Sequence, residues 1–333
     1  MCMTTKTVGL TYDLKTDYAF KEGDPPDANA EFDAPSTIEV ISSAIEANGF
    51  KVKRIGNALN LLEKIDSLEV DIVFNISEGV SGRNRESQVP ILLEMADIPF
   101  VGADALTLGL TLDKVMAKKI FMAEHIPTPR FFEVRSSDEL TNTDHCKFPL
   151  IVKPRCEGSS KGLSDNSRVE NMEELKKQVE YIVNTYKQPA LIEEFISGQE
   201  FTVAIIGNDA PQVYPIVQIK IDGRLKLQDK FYTFARINSG RLEYVCPARI
   251  DEILHKKISE LSLKTYKAVE CRDFGRVDFR VDQEGRPYVL EINPLPSLST
   301  EDVFMLVAKA TGITYEKIIG NILETAIKRC NLN

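Results

Sequence analysis

Short apolar runs and segments of helical period take turns through the first hundred residues. Residues 7–11, 50–55, 71–76 and 98–102 read as strands. Helices are predicted from Pro35 onward, over 59–68 and over 88–96, with Ser36 and Glu39 at capping-box spacing. That order predicts a parallel sheet with crossover helices, an α/β unit. No Gly-x-Gly-x-x-Gly follows the first strand, which argues against a dinucleotide site. A loop rich in Asp and Pro runs from 13 to 35 instead, and loops of that length usually carry function or move. Residues 105–124 read as one helix, closed by Ile126-Pro127-Thr128-Pro129, a break that marks a boundary. Strands follow at 148–153, 190–195 and 201–206, and helices at 170–186, 251–269, 300–310 and 315–328.

Two later runs alternate with the strand period: Gly275-Arg276-Val277-Asp278-Phe279-Arg280 and Tyr288-Val289-Leu290-Glu291-Ile292-Asn293. Between them Gln283-Glu284-Gly285-Arg286 is a hairpin signal. A two-residue loop at Glu284-Gly285 pairs Gln283 with Arg286. Counting back sets Asp278 opposite Glu291 and Arg276 opposite Asn293. Like charges directly opposed on a sheet face are destabilising. Two carboxylates and an amide converge there more sensibly around a hard cation such as Mg²⁺, which takes oxygen ligands and brings phosphates with it. An amphipathic hairpin with its polar face in water has the same spacing.

Composition narrows the class. The 333 residues exceed a comfortable single core, so two or three domains are expected. With 43% hydrophobic and 27% charged residues the chain is globular, and a net charge of −9 argues against a nucleic-acid surface. Residues 1–6 hold no apolar core before a cleavage site, and no apolar run reaches the ~18 residues of a membrane span, so neither a secretory signal nor a membrane is expected. Six scattered cysteines (Cys2, Cys146, Cys156, Cys246, Cys271, Cys330) form no Cys-x-x-Cys, which fits reduced thiols in a cytoplasmic protein. The three histidines, His125, His145 and His255, lie near no nucleophile elbow, which argues against a Ser/His or Cys/His hydrolase.

Lys153 ends a strand just before Pro154-Arg155-Cys156-Glu157-Gly158-Ser159-Ser160-Lys161-Gly162. Backbone N–H groups in such a loop can cradle phosphate oxygens beside a Lys, although the run is no Walker motif and a solvated turn has the same composition. Glu193-Glu194-Phe195-Ile196 ends a strand with a carboxylate rim beside apolar residues, or with exposed edge acids. Arg83 and Arg85 follow a strand's C-terminal end, where open α/β sheets bind ligands, and they fit a charged surface loop equally. Lys114 alone reads as an exposed helix residue.

Order and spacing together say more. Asp113-Lys114, Val152-Lys153-Pro154, Glu157-Gly158-Ser159-Ser160, Glu193-Glu194-Phe195, Glu200-Phe201-Thr202-Val203, Arg276-Val277-Asp278 and Glu291-Ile292-Asn293 follow one another in a string that resembles the ATP-grasp superfamily and, within it, the D-alanine–D-alanine ligases. The resemblance is close over 99–293. It implies mixed α/β and α+β architecture: an N-terminal Rossmann-like pre-ATP-grasp domain (1–112), an ATP-grasp lid (113–198) and a large catalytic subdomain (199–333). It implies ATP between two antiparallel sheets, with Lys114 and Lys153 on its phosphates and Glu157, Ser159 and Ser160 in a closing loop. Glu193, Glu194, Phe195 and Ile196 would hold adenine and Glu200 the ribose. Asp278, Glu291 and Asn293 would coordinate two Mg²⁺, with Mn²⁺ an alternative, and Arg276 would face the reacting carboxylate, with Ser159 also catalytic. The implied reaction activates a carboxylate as an acyl phosphate for attack by an amine, forming a peptide bond for the cell wall. Small amino acids or peptides would be the substrates, and relatives of this type are commonly homodimers.

The substrate ends depart from the family. A Ser-x-Glu-rich motif usually follows the first strand, its Glu on the first substrate's ammonium; here the run is Tyr12-Asp13-Leu14-Lys15, and Asp13, Asp17, Glu31 and Glu39 are all open as substitutes. After the metal asparagine, Pro-Gly is replaced by a run in which Ser297 takes the glycine's place and Glu301 and Asp302 bring acids to where a carboxylate would bind. Lys230 and Arg236 both remain candidates for the family's loop lysine. The rival readings are an ATP-grasp ligase for other amino acids or peptides, and a non-enzymatic nucleotide-binding regulator.

Overall fold

Four parallel strands open the chain in the computed structural model, which describes residues 5–140, 147–237 and 239–332. Cys2, His145 and Cys146 lie outside the described residues. The strands β1 (Thr7–Thr11), β2 (Lys51–Gly56), β3 (Ile72–Asn75) and β4 (Phe100–Val101) are ordered β2-β1-β3-β4. β3 is buried along its whole length and β1 from Val8 on, as in a sheet covered on both faces. The helices α1 (Pro35–Ala47), α2 (Ala58–Lys64) and α3 (Gln88–Met95) make the crossovers. The capping box expected at Ser36 and Glu39 does not form. Pro35 itself opens α1, behind Ala34 with no side-chain cap, and Glu39 pairs with Arg54 at 2.6 Å on the surface.

The single helix expected over 105–124 is two, α4 (Ala105–Leu112) and α5 (Lys114–Ala123). Asp113 between them is extended (φ −81°, ψ 92°), and its carboxylate accepts the Met116 N–H to start α5. Arg83 and Arg155 both bind that buried carboxylate, each through a 2.7 Å hydrogen bond from Nε. The break therefore sets Lys114 at a helix start, beside the Gly/Ser loop, where its N–H donates to the Arg155 carbonyl.

A second sheet, antiparallel throughout, comprises β5 (Phe131–Val134), β6 (Leu150–Pro154), β7 (Arg168–Val169) and β8 (Ala190–Glu194) in the order β5-β8-β6-β7. α6 (Met172–Tyr186) packs on it through Leu175, Val179 and Ile182. A third sheet holds β9 (Gly198–Ile206), β10 (Gln212–Val213), β11 (Val217–Ile221), β12 (Leu242–Val245), β13 (Phe274–Asp282) and β14 (Pro287–Asn293), along the path β12-β11-β9-β13-β14 with β10 on β9. α7 (Phe234–Ile237) lies in the loop before β12, and α8 (Glu252–Ala268) covers one face together with Ala117 and Phe121 of α5. α9 (Val303–Thr311) and α10 (Tyr315–Arg329) return to the N-terminal sheet, where Ile318, Ile319 and Ile322 join Ile38, Ile41 and Ile45 of α1 in one core. β5, β7, β10, β11 and β12 did not stand out in the sequence. β7 and β10 are only two residues long and β5 and β12 four, and Gln218 and Lys220 interrupt the apolar run of β11. Among the described residues no helix is long and apolar enough to cross a membrane.

Candidate active site

The acidic hairpin carries the register expected of it, by a different route. Asp278 lies opposite Glu291 and Arg276 opposite Asn293. The turn is not the two-residue loop expected: Asp282 pairs with Arg286 (N···O 3.1 Å), and Gly285, at φ +74°, closes a three-residue turn. A bulge then leaves Leu290 without a partner between Val289 and Glu291. One residue more in the turn and one more on the returning strand cancel.

Arg276, Asp278 and Arg280 share one face of β13, since side chains two apart in a strand point the same way. Asp278 accepts from Thr202 Oγ1 on β9 (2.5 Å), from Arg276 Nε and Nη2 (3.1 and 3.0 Å) and from Asn293 Nδ2 (3.0 Å). Glu291 Oε2 lies 2.9 Å from Lys114 Nζ, which also donates to the Glu157 carbonyl at 2.7 Å. Burial works to raise the Glu291 carboxyl, but Lys114 and Lys153 outweigh it and hold its pKa at about 2. Two carboxylates and the side-chain carbonyl of Asn293, whose amide nitrogen is already committed to Asp278, form an oxygen donor set suited to Mg²⁺.

Lys153 is not free at the strand end. Its Nζ sits 2.5 Å from one oxygen of Glu193, and Lys118 Nζ sits 2.5 Å from the other. Lys118 also donates to Thr128 Oγ1 at 2.6 Å, and Thr128 to the Val289 carbonyl at 2.8 Å. Glu193 is thus a buried bridge between two ammonium groups rather than a rim carboxylate. Sequence reasoning missed Lys118, and its spacing was the signal: it stands one helical turn after Lys114.

The rest of the segment expected around adenine is organised by Arg280, also missed. Its guanidinium donates to the Ile196 carbonyl (2.8 Å), Glu200 Oε2 (3.0 Å) and the Lys230 carbonyl (3.0 Å), and it lies 4.8 Å from the centre of the Phe195 ring. Phe195 also meets Phe231 edge-on at 5.7 Å. Glu200, facing Arg280 across the β9–β13 ladder, is buried, and that burial raises its pKa against the pull of Arg280. Glu194 accepts the Lys147 N–H at 3.2 Å. Of the two loop candidates, Lys230 pairs with Asp222, whereas Arg236 reaches Asp165 of the second sheet's loop at 2.5 Å. Ser159 is exposed and Ser160 half-buried, at the tip of the Gly/Ser loop.

Known proteins resemble this chain in sequence and in fold. A family model described as the D-ala D-ala ligase C-terminus matches residues 120–324. The chain belongs to the D-alanine–D-alanine ligase family. A D-alanine–D-alanine ligase of Carboxydothermus hydrogenoformans is 35% identical over 299 residues, covering 86% of this chain and 91% of the relative. The uncharacterized protein y4sG of Sinorhizobium fredii is 38% identical over 258 residues, covering 78% of this chain and 75% of that one. The crystal structure of the Bacillus anthracis D-alanine–D-alanine ligase complexed with ATP superposes with a TM-score of 0.76 at 24% identity, covering 98% of this chain and 99% of that one. The three-sheet architecture is therefore the ATP-grasp fold of these ligases, and the chain is an ATP-dependent ligase that forms C–N bonds.

Of the four acids open as substitutes for the family's first-substrate Glu, Glu39 is on the surface with Arg54, and Asp17 is exposed. Glu31 is buried against Arg85 at 2.7 Å, and Asp13 is buried at the end of β1, accepting from Ser77 Oγ (2.5 Å) and Gly79 N–H (2.9 Å). Asp302 caps α9 and comes within 3.6 Å of Arg276.

Proposed function

We propose that the chain binds ATP and Mg²⁺, phosphorylates the carboxylate of one small amino acid or peptide, and passes the acyl group to the amine of a second. The observation that carries this reading is Asp278 face to face with Glu291, with Asn293 beside them and Arg276 and Lys114 on either side. In this reading residues 1–112 form one wall, 113–198 the lid and 199–333 the catalytic floor. Asp278, Glu291 and Asn293 would hold Mg²⁺, which would supply neutralisation of the phosphate oxygens. Lys153 and Lys114 hold the phosphates as point charges. Phe195 and Ile196 line the base site, Glu200 takes the ribose hydroxyls, and Glu157, Ser159 and Ser160 close over the phosphates. Arg276 orients the reacting carboxylate and then holds the oxyanion formed on amine attack. The test is ADP release from purified protein with Mg²⁺ and a panel of D- and L-amino acids and dipeptides. Release stimulated by D-alanine alone supports the family's reaction. No stimulation by any compound, with ATP tightly bound, overturns the proposed amino-acid and peptide substrates.

A second reading, an acceptor other than D-alanine, is favoured by Asp302. A carboxylate 3.6 Å from Arg276 partly neutralises the guanidinium and repels an incoming carboxylate. Asp33 adds to this acidic face: burial first, then Asp13 and Asp302, raise its pKa to about 7, with Lys15 opposing. A group whose folded pKa is raised favours the fold most below its ordinary 3.8 and loses that contribution as pH rises through about 7. Asp33→Asn is therefore expected to melt like the wild type at about pH 4 and above it at about pH 8. A melting-temperature gap that stays constant between the two pH values would contradict the burial of Asp33.

A further inference from the structure

The loop after β1 lacks the family's motif, yet it does not lie idle. It crosses to the Gly/Ser loop and takes two of its backbone N–H groups. Gly158 N–H donates to Glu31 Oε1 at 2.5 Å, and Gly162 N–H donates to Asp27 Oδ2 at 2.8 Å. Tyr186 OH holds the Asp27 carboxylate at 2.9 Å. Glu31 sits in a buried set of four charges: Arg85 Nη2 at 2.7 Å, Lys161 Nζ at 3.2 Å, and Glu157, which itself meets Lys161 at 2.5 Å. Burial opposes the Glu31 carboxylate, but Arg85 and Lys161 hold its pKa below the ordinary value, so it is ionised. The approach is close: a Cβ at position 158 would stand 2.8 Å from Glu31 Oε1, so a side chain there would have to push the carboxylate out of the contact.

Between the two clamped glycines the backbone is strained. Lys161 N–H bonds the Gly158 carbonyl at 2.9 Å, closing a tight turn whose central residues, Ser159 and Ser160, have φ of +46° and +57°. Turns of that hand normally use Asn and Gly, and serine adopts it at a cost. Strain of this sort persists only where its surroundings impose it. With the N–H groups of Gly158, Lys161 and Gly162 committed, those of Ser159 and Ser160 are left at the tip.

We propose that Glu31 and Asp27 are positioning residues that set the Gly158–Gly162 turn before nucleotide arrives, so that the Ser159 and Ser160 N–H groups meet the ATP phosphates without reordering. The inference rests on the proposed nucleotide role of this loop. If the clamp is lost, ATP must order the turn itself, and its apparent affinity falls by the fraction of molecules with the turn formed. Because that cost falls equally on the bound and the reacting state, it appears in KM rather than kcat.

Glu31→Gln and Asp27→Asn, made singly in the full chain, test this. In the absence of nucleotide, hydrogen exchange of the 156–163 amides is expected to be slow in the wild type and about tenfold faster in Glu31→Gln, with KM for ATP raised about tenfold and kcat within about twofold. Asp27→Asn, outside the four-charge set, should give the same pattern more weakly, and it covers the case in which Glu31→Gln does not fold. Unchanged exchange in both variants overturns the proposal, as does a fall in kcat at constant KM. A rise in activity also overturns it, since it would make the contact inhibitory. Failure of the proposed function reads differently: no ligation by the wild type, with the exchange effect intact.

Discussion

Asp278→Asn or Glu291→Gln is expected to lower ATP-dependent turnover by roughly 10³-fold, equivalent to about 4 kcal/mol of transition-state stabilisation, while the protein still folds. Both changes keep the shape of the side chain and remove a charge. The fold tolerates the loss because both pairs are partly open to water, with Asp278 18% and Glu291 25% exposed, and each cation left behind keeps a second partner: Asp302 for Arg276 and the Glu157 carbonyl for Lys114. The amide that replaces the Asp278 carboxylate can still accept from Thr202, and the amide that replaces the Glu291 carboxylate can still accept from Lys114. Turnover does not tolerate it, because phosphoryl transfer brings the anionic phosphates to an anionic carboxylate, and charge neutralisation is the main service the protein renders. Steady-state ADP release at saturating Mg²⁺, beside a thermal melt of each variant, checks both halves. Wild-type turnover in either variant would remove Asp278 and Glu291 from the metal site.

Glu193→Gln is expected to act on stability first. The Lys118–Glu193–Lys153 set is almost wholly buried, with Lys118 and Glu193 each 1% exposed and Lys153 9%. Removing its only negative charge leaves two ammonium groups against a neutral amide, and breaking a buried pair in this way costs about 3–5 kcal/mol. Lys118 already has its pKa lowered to about 8 by burial, with Lys153 adding to the burial and Glu193 opposing. A lysine with a depressed folded pKa stabilises more as pH rises and loses that contribution as pH falls through the folded value. The melting deficit of Glu193→Gln is thus expected to shrink between about pH 7 and about pH 9.5, where the Lys118 ammonium can shed its proton. Lys118→Met, which leaves Glu193 and Lys153 as a one-to-one pair, should be much milder. Equal melting of wild type and Glu193→Gln at neutral pH would mean that the set is hydrated.

Much of this site was legible because it lies on regular structure. Strand period with an assumed two-residue turn put Asp278 opposite Glu291, a register that holds because the bulge at Leu290 offsets the longer turn, and helical period found α6 and α8 to within two residues. The parts that escaped notice depend on contacts distant in the chain. Lys118 gains its meaning from Glu193 on β8, and Arg280 from Glu200 on β9. Asp113 ends a helix because two arginines from different loops need its carboxylate, so the residues around it kept their helical pattern while the backbone broke. Glu31 looked like one acid among four; only the approach of Gly158 from another unit distinguishes it. Capping-box spacing at Ser36 misled for a local reason, since Pro35 could begin the helix without a side-chain cap.

The bulge at Leu290 has a further consequence for the hairpin. It separates the length of the turn from the phase of the strand, so a change at the tip need not reach the carboxylates. Gln283 and Glu284 thus lie where an inserted residue, a dye or a peptide tag lengthens only the turn, leaving Asp278 and Glu291 in step. Lengthening β14 between Glu291 and Asn293 has no such absorber, and would swing Asn293 to the opposite face of the sheet.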